Sequence, residues 1–169
     1  ELRGSTTSQF LVREHVQLAI NGDFFLPWWS DGPDSFYPHS GQPVDVLGVG
    51  VSGGEAYGRR VAPFSSLVFA PDGAVSIVEI TDPAAPFPPA RQAISGKQLI
   101  VRDGVPTFAT RASEQARLRH PRTAAALDRA TGRAGARVLV GREPAGTHEL
   151  HRLDLEPVRG GHGVWAHAA

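Results

Sequence analysis

The chain has 169 residues, room for one domain with its own core but not for two comfortable ones. Its 17 Lys and Arg balance its 17 Asp and Glu, so no global field favours nucleic acid, an anionic membrane or an acidic partner. There is no cysteine, which excludes a disulfide frame, a zinc-thiolate centre and a thiol nucleophile.

Glycine and proline, at 19 and 14 residues, make up about a fifth of the chain, so a folded, loop-rich domain with few long helices is expected. No apolar run approaches the roughly 20 residues of a membrane span. Glu1-Leu2-Arg3-Gly4 has no signal-peptide core; if the protein is exported, its signal is expected to have been removed. Basic residues cluster between Arg111 and Arg137 with Ala and Leu rather than aromatics between them, and they read as a solvated face.

In chain order, Thr6-Thr7-Ser8-Gln9 fits a capping box and predicts a short helix from Thr7 to Glu14 with Phe10 and Leu11 inward. Val16 to Ile20 is an apolar run of strand length that stops at Asn21-Gly22-Asp23, residue types that leave a strand for a turn. A buried strand is thus expected to deliver Asn21 and Asp23 to its end, with Phe24 and Phe25 re-entering the core. The chain then runs without periodicity through Pro27, Gly32, Pro33, Pro38, Gly41 and Pro43, which marks a functional loop or a disordered one. Trp28, Trp29, Phe36, Tyr37 and His39 argue for order, because so many aromatics would be costly to leave in water. Adjacent residues in an extended segment face opposite ways, so one of Trp28 and Trp29 is expected in the core.

Val44 to Val51 predicts a strand closing on a glycine turn. Gly48-Val49-Gly50-Val51-Ser52-Gly53 matches the dinucleotide fingerprint, but Glu55 to Pro63 is a poor helix, so a strand and turn is preferred to a nucleotide site. Ser66 to Ala70 and Ala74 to Ile80, joined by Pro71-Asp72-Gly73, predict a β-hairpin, and Thr81 to Pro89 a proline-rich loop. Short extended pieces follow at Gln92 to Ser95 and Gln98 to Val101, then a turn over Arg102 to Pro106. A helical turn is predicted at Ser113 to Arg119, strands at His120 to Asp128 and Arg137 to Val140, and a helix at Thr147 to Leu155. On that helix His148 and His151, with Glu149 and Asp154 nearby, would share a face, but the spacing is not that of H-E-x-x-H, and a solvated amphipathic helix is preferred to a metal site. No Gly-x-Ser-x-Gly elbow supports a serine hydrolase.

Several of these pieces, in this order, resemble the phosphodiester glycosidase family, typified by N-acetylglucosamine-1-phosphodiester alpha-N-acetylglucosaminidase. They are Thr6-Thr7-Ser8-Gln9-Phe10 leading to Ala19-Ile20-Asn21-Gly22-Asp23-Phe24-Phe25; Ala93-Ile94-Ser95-Gly96 with Leu99-Ile100-Val101-Arg102-Asp103-Gly104; and His120-Pro121-Arg122-Thr123-Ala124. The likeness is strongest over residues 5 to 130. Leu139-Val140-Gly141-Arg142 stands where the family has Val-Asp-Gly-Arg, and the family's Asn-Leu-Asp-Gly-Gly-Gly-Ser has only a faint echo in Arg159-Gly160-Gly161-His162-Gly163. A divergent, truncated or frameshifted C-terminal part, and with it impaired catalysis, is the corresponding expectation.

The resemblance implies a single α+β domain with a mixed, mainly antiparallel sheet of short strands, few helices and long loops. It implies a hydrolase of sugar-1-phosphodiesters, secreted or periplasmic, with a glycan or sugar phosphodiester such as an exopolysaccharide as substrate and no cofactor. Such a reaction needs a carboxylate near an oxocarbenium-like centre and a cation on the phosphate leaving group. Asp23 and Asp103 are the candidate carboxylates, and Arg122 the candidate phosphate contact, because a guanidinium meets two phosphate oxygens at once. Asn21, His120, Thr123 and Arg142 join them as substrate contacts, with Trp28, Trp29 and Tyr37 to stack on a pyranose. Each has a plainer reading: Asn21-Gly22 and Asp103-Gly104 as turns, His120 as the cap of a proline corner, and the tryptophans as core. The alternative function is a non-catalytic carbohydrate-binding domain.

Overall fold

The structure, a computed structural model, describes residues 1–17, 19, 22–30, 36–107, 122–128, 131, 133–139 and 151–154. It begins with β1 (Leu2–Arg3) and α1 (Thr7–Arg13). The capping box forms as the sequence predicts: the Gln9 N–H donates to Thr6 Oγ1 at 3.1 Å and the Thr6 N–H to Gln9 Oε1 at 3.0 Å. Phe10 is buried beneath α1, and the Arg13 guanidinium covers its ring at 5.5 Å. His15, at φ 54°, turns the chain out of the helix. The strand predicted directly afterwards is not formed at Val16, Gln17 or Ala19. Val16 instead donates its N–H to Leu11 O at 3.2 Å, so the helix end has taken the backbone group a strand would have used.

Next come β2 (Phe25–Leu26), β3 (Trp29–Ser30), β4 (Phe36–Tyr37) and β5 (Pro43–Val46). β5 lies between β1 and β2, while β3 and β4 form a separate ribbon. The strand predicted over Val44 to Val51 is split in two, because the backbone of Leu47 to Val49 bonds to Phe24, to two side chains and to Arg60 and Val61 rather than to a neighbouring strand.

The core belongs to a five-stranded sheet of β6 (Gly50–Ser52), β7 (Glu55–Tyr57), β8 (Phe64–Phe69), β9 (Val75–Ile80) and β10 (Gln92–Gly96), in the order β7-β6-β10-β8-β9. The predicted hairpin is β8–β9: the Ala70 N–H meets Ala74 O at 2.8 Å, and Asp72 Oδ1 accepts the Ala74 N–H at 3.0 Å. The Gly53-Gly54 turn joins β6 to β7 with φ 62° and 92°, as a two-residue hairpin loop requires, and no nucleotide-binding helix follows.

Register puts Val51, Ala93 and Val68 in one row across the sheet and Phe64 beside Ile80. With Val49 they form the buried cluster, and Ala62, Val78, Phe87 and Ala90 pack against it. Phe87 belongs to the proline-rich stretch and Ala90 directly follows it, so that stretch covers the sheet instead of extending it. The Arg60 guanidinium on the Ala85 carbonyl holds that cover down. Each aliphatic side chain so buried stabilises the fold by about 1.5–3 kcal/mol.

The remaining strands are β11 (Val101–Arg102), β12 (Val105–Pro106), β13 (Arg122–Asp128), β14 (Arg133–Leu139) and β15 (His151–Asp154). β11 and β12 form a hairpin, and β13-β14-β15 a third sheet. β14 is longer than the predicted strand at 137–140. β15 replaces the helix expected over Thr147 to Leu155, because pairing Leu153 with Ala136 and His151 with Val138 overrides the local spacing. The helical turn predicted at Ser113 to Arg119 lies outside the described residues. Among the described residues every strand pair is antiparallel and the one helix has seven residues, so this part of the fold is strand-rich, as expected of a mainly antiparallel domain with few helices. No helix among them is long and apolar enough to cross a membrane.

Candidate functional site

Asp23 precedes β2 and is 7% exposed. Its two oxygens are held separately: Oδ1 accepts the Phe24 N–H at 2.7 Å, and Oδ2 accepts the Gly48 N–H at 2.8 Å. On the far side of the same junction the Leu47 N–H donates to Phe24 O at 2.8 Å. The carboxylate therefore ties the start of β2 to the segment between β5 and β6. Burial pushes its pKa up to about 6 from 3.8, and the two amide donors offset only part of that rise. A carboxyl that titrates this close to neutrality can both give and take a proton.

Three further polar residues gather around it. A Cβ on Gly48 would overlap Asp23 Oδ2 and the Ser95 side chain, so this residue is glycine because two functional groups occupy the space where its side chain would be. Gly50 is bare for the same reason, with the Tyr57 ring in that space. Burial raises the Tyr57 pKa, and the negative charge of Asp23 adds to the rise. Ser95 lies on β10, its hydroxyl accepting the Val49 N–H at 2.9 Å and donating to Val49 O at 2.7 Å. The Ser66 hydroxyl on β8 is 2.7 Å from it. Because the Ser95 proton is committed to Val49 O, Ser66 is the donor in that pair, which saturates Ser95 with one bond given and two accepted.

The aromatic loop is built the other way round. Trp28 and Trp29 are each 51% exposed, so the expectation that one of them lies in the core is wrong. The β3–β4 pairing sets Trp29 opposite Tyr37, and their rings stack with centroids 5.3 Å apart at 16°. Cross-strand pairing, not burial, is what orders them. His39 meets the Tyr37 ring edge-on at 6.3 Å. Phe24 is also exposed and Phe25 half-buried, so the predicted double return to the core is only partly made.

Asp103 is at the tip of the β11–β12 hairpin, exposed, with φ 50° followed by Gly104 at φ 79°, and it shares none of the Asp23 hydrogen bonds. Its neighbour Arg102 is paired with Glu79. That hairpin borders a groove of about 680 Å³ whose walls include Phe64, Ile80, Lys97, Leu99 and Val105. Arg122 opens β13 opposite Leu139, and Thr123, half-buried, pairs with Val138. Asn21, His120 and Arg142 lie outside the described residues. Among those described, no three His, Asp or Glu side chains gather to hold a metal. His151 and Asp154 are on β15, and His148 is outside the described residues.

Gly48, Ser66, Ser95 and Tyr57 were not singled out as site residues from the sequence. The signal available was the pair of serines inside otherwise apolar strands, Phe64-Ser65-Ser66-Leu67-Val68 and Ala93-Ile94-Ser95, where a buried hydroxyl must have a partner.

The sequence model of the phosphodiester glycosidase family matches residues 14–153, most of the chain, and the chain belongs to that family. Membership brings the family's general chemistry, glycosidase-type hydrolysis, and a glycan-type substrate. No curated protein and no solved structure compared with the chain matches it.

Proposed function

We propose that the protein hydrolyses a sugar-1-phosphodiester, releasing an α-linked sugar such as N-acetylglucosamine from a phosphorylated glycan. The observation that carries this reading is Asp23: within the matched span, a buried carboxyl pushed up to about 6 stands at the end of the family's first motif. The C1–O bond breaks with its electron pair going to the phosphate oxygen, an oxocarbenium-like centre develops, and water adds its hydroxyl to C1 while its proton goes to the base. Asp23 is the group assigned to stabilise that centre or take that proton. A phosphomonoester leaves readily, so the cation that holds it matters more than a strong acid. Arg122 is assigned that role, with His120, Thr123 and Arg142 as further contacts, Asn21 orienting a hydroxyl and Asp103 as second carboxylate.

Arg122→Ala is expected to lower turnover of an N-acetylglucosaminyl phosphodiester roughly a hundredfold with the thermal midpoint retained. Unchanged hydrolysis overturns the assignment. Slow turnover in the wild type and export from the cytoplasm belong to the same reading, the first supported by Leu139-Val140-Gly141-Arg142 where the family has Val-Asp-Gly-Arg and the second by family resemblance.

The exposed Trp29–Tyr37 stack favours a second reading, a carbohydrate-binding domain without catalysis. Glycan binding that survives Arg122→Ala, with hydrolysis by neither form, would select it.

A further inference from the structure

The peptide units between Val46 and Val49 bridge two sides of the structure, because in a trans peptide the carbonyl of one residue and the N–H of the next point in opposite directions. On one side the Leu47 N–H donates to Phe24 O at 2.8 Å, the Gly48 N–H to Asp23 Oδ2 at 2.8 Å and the Val49 N–H to Ser95 Oγ at 2.9 Å. On the other side runs the stretch that leaves β7. There the Arg59 N–H donates to Val46 O at 2.7 Å, the Val61 N–H to Leu47 O at 2.7 Å and the Arg60 N–H to Gly48 O at 3.3 Å. The unit that reaches Asp23 is the Leu47–Gly48 peptide, and the group that holds it from behind is the Val61 N–H.

The stretch is shaped for this contact. Gly58, at φ 105°, has no Cβ to strike the Gly48 carbonyl. Arg60, at φ 56°, adopts a conformation that costs a non-glycine residue and persists where the surroundings demand it. It turns the N–H groups of Arg60 and Val61 onto the carbonyls of Gly48 and Leu47, and its guanidinium anchors the turn on Ala85 O. Residues 58–61 lie outside any strand, so no ladder requires this register.

We propose that Val61 is a positioning residue of the Asp23 site: its N–H holds the Leu47 carbonyl, and through that peptide unit keeps the Gly48 N–H on Asp23 Oδ2, fixing how the carboxyl is presented. The kinetic consequence rests on the hydrolase reading above, whereas the hydrogen-bonded chain can be tested without turnover. The Val61 N–H, the Leu47–Gly48 peptide and the carboxylate are linked in series, so ionisation of Asp23 polarises the peptide and strengthens the Val61 bond. Among the described residues Tyr57 is the titratable group that feels the charge of Asp23, and its raised pKa keeps it neutral while the aspartate ionises. Ser95 brings only a hydroxyl, the Arg60 guanidinium is held on Ala85 O, and that of Arg59 faces Asp45 at 3.9 Å.

In an NMR titration of the wild type between about pH 4 and pH 8, the amide protons of Phe24, Gly48 and Val61 should share one midpoint as Asp23 ionises. The Arg59 amide, bonded to the neighbouring peptide, should move less. In Asp23→Asn the Val61 response should vanish. A Val61 amide that keeps its response there, or that has none in the wild type, overturns the proposal.

Replacing Val61 with its α-hydroxy acid turns the amide into an ester, which removes the N–H and keeps the side chain. The midpoint read at Phe24 should then rise by about half a unit, because the ionised carboxyl loses part of a donor that favours it. The acid limb of kcat/KM should rise with it, with KM unchanged. The same replacement at Arg59 removes an equally short bond to Val46 O and should leave the midpoint in place. No shift in the Val61 ester, or equal shifts in both esters, refutes the positioning role. Should the Val61 ester fail to fold, the wild-type and Asp23→Asn titrations decide. Coupled amide responses without turnover in the wild type would count against the hydrolase reading and leave Val61 in its role; turnover whose acid limb ignores the Val61 ester would do the reverse.

Discussion

Two regions of this molecule place their residues against the usual preference, in opposite directions. Around Gly48 a carboxyl and two hydroxyls are buried against an aliphatic cluster; along β3–β4 two tryptophans stand half in water. Buried polar groups are costly unless every one is bonded, so the first region is a fixed constellation in which each bond limits the next. Exposed aromatic faces retain their affinity for an apolar surface, and the proposed glycan platform rests on that property of the second. Rigidity at Asp23 and an open platform at Trp29 are what a glycan-cleaving site and a glycan-holding surface respectively need.

Substitutions can break either side of that contrast. The largest effect is expected from Gly48→Ala, because the new methyl overlaps the Asp23 carboxylate and Ser95, neither of which has room to withdraw. A loss of about 3 kcal/mol in a urea melt is expected. Full stability would mean that the cluster is looser than its bonds imply.

Asp23→Asn should follow in size, and its sign depends on pH. The folded carboxyl titrates at about 6 and the unfolded one at 3.8, so the folded state holds the proton more tightly. This contribution to stability is fully present below the unfolded value and is lost as pH rises through the folded one. Relative to Asp23→Asn, the wild type should therefore lose at most about 3 kcal/mol between roughly pH 4 and pH 7, with little change above. A difference between the two that does not vary with pH would show that the burial of Asp23 has been misjudged.

Trp29→Ala, on the open side, should barely move the melt, by about 0.5–1 kcal/mol from the lost ring stack. Retardation by a soluble glycan in affinity electrophoresis should nevertheless fall roughly tenfold, the equivalent of about 1.4 kcal/mol. Undiminished retardation would remove the platform from the site.

What was legible in the sequence was local. Thr6 and Gln9 are three residues apart, and each caps the other's backbone N–H. Pro71-Asp72-Gly73 closes its hairpin through Asp72 and the adjacent amides. Asp23 could be picked out as a polar group after an apolar run, but its partner Gly48 lies 25 residues away and Ser95 lies 46 from Val49. Where local pattern and long-range pairing disagreed, pairing won: β15 is a strand despite helical spacing, and Trp29 is ordered by Tyr37 across the ribbon instead of by the core.

By itself the sequence determined the turns, the caps, the strand-rich composition and, through its ordered motifs, the family. Its short-range signals suffice there because a capping or turn residue satisfies backbone groups within its own few neighbours. Only the tertiary structure decided that Gly48 and Gly50 are glycines to admit Asp23, Ser95 and the Tyr57 ring, and that the tryptophans face outward. Those outcomes depend on which strands lie beside one another, and the free energy of that pairing is shared among residues too far apart in the chain for any local pattern to record.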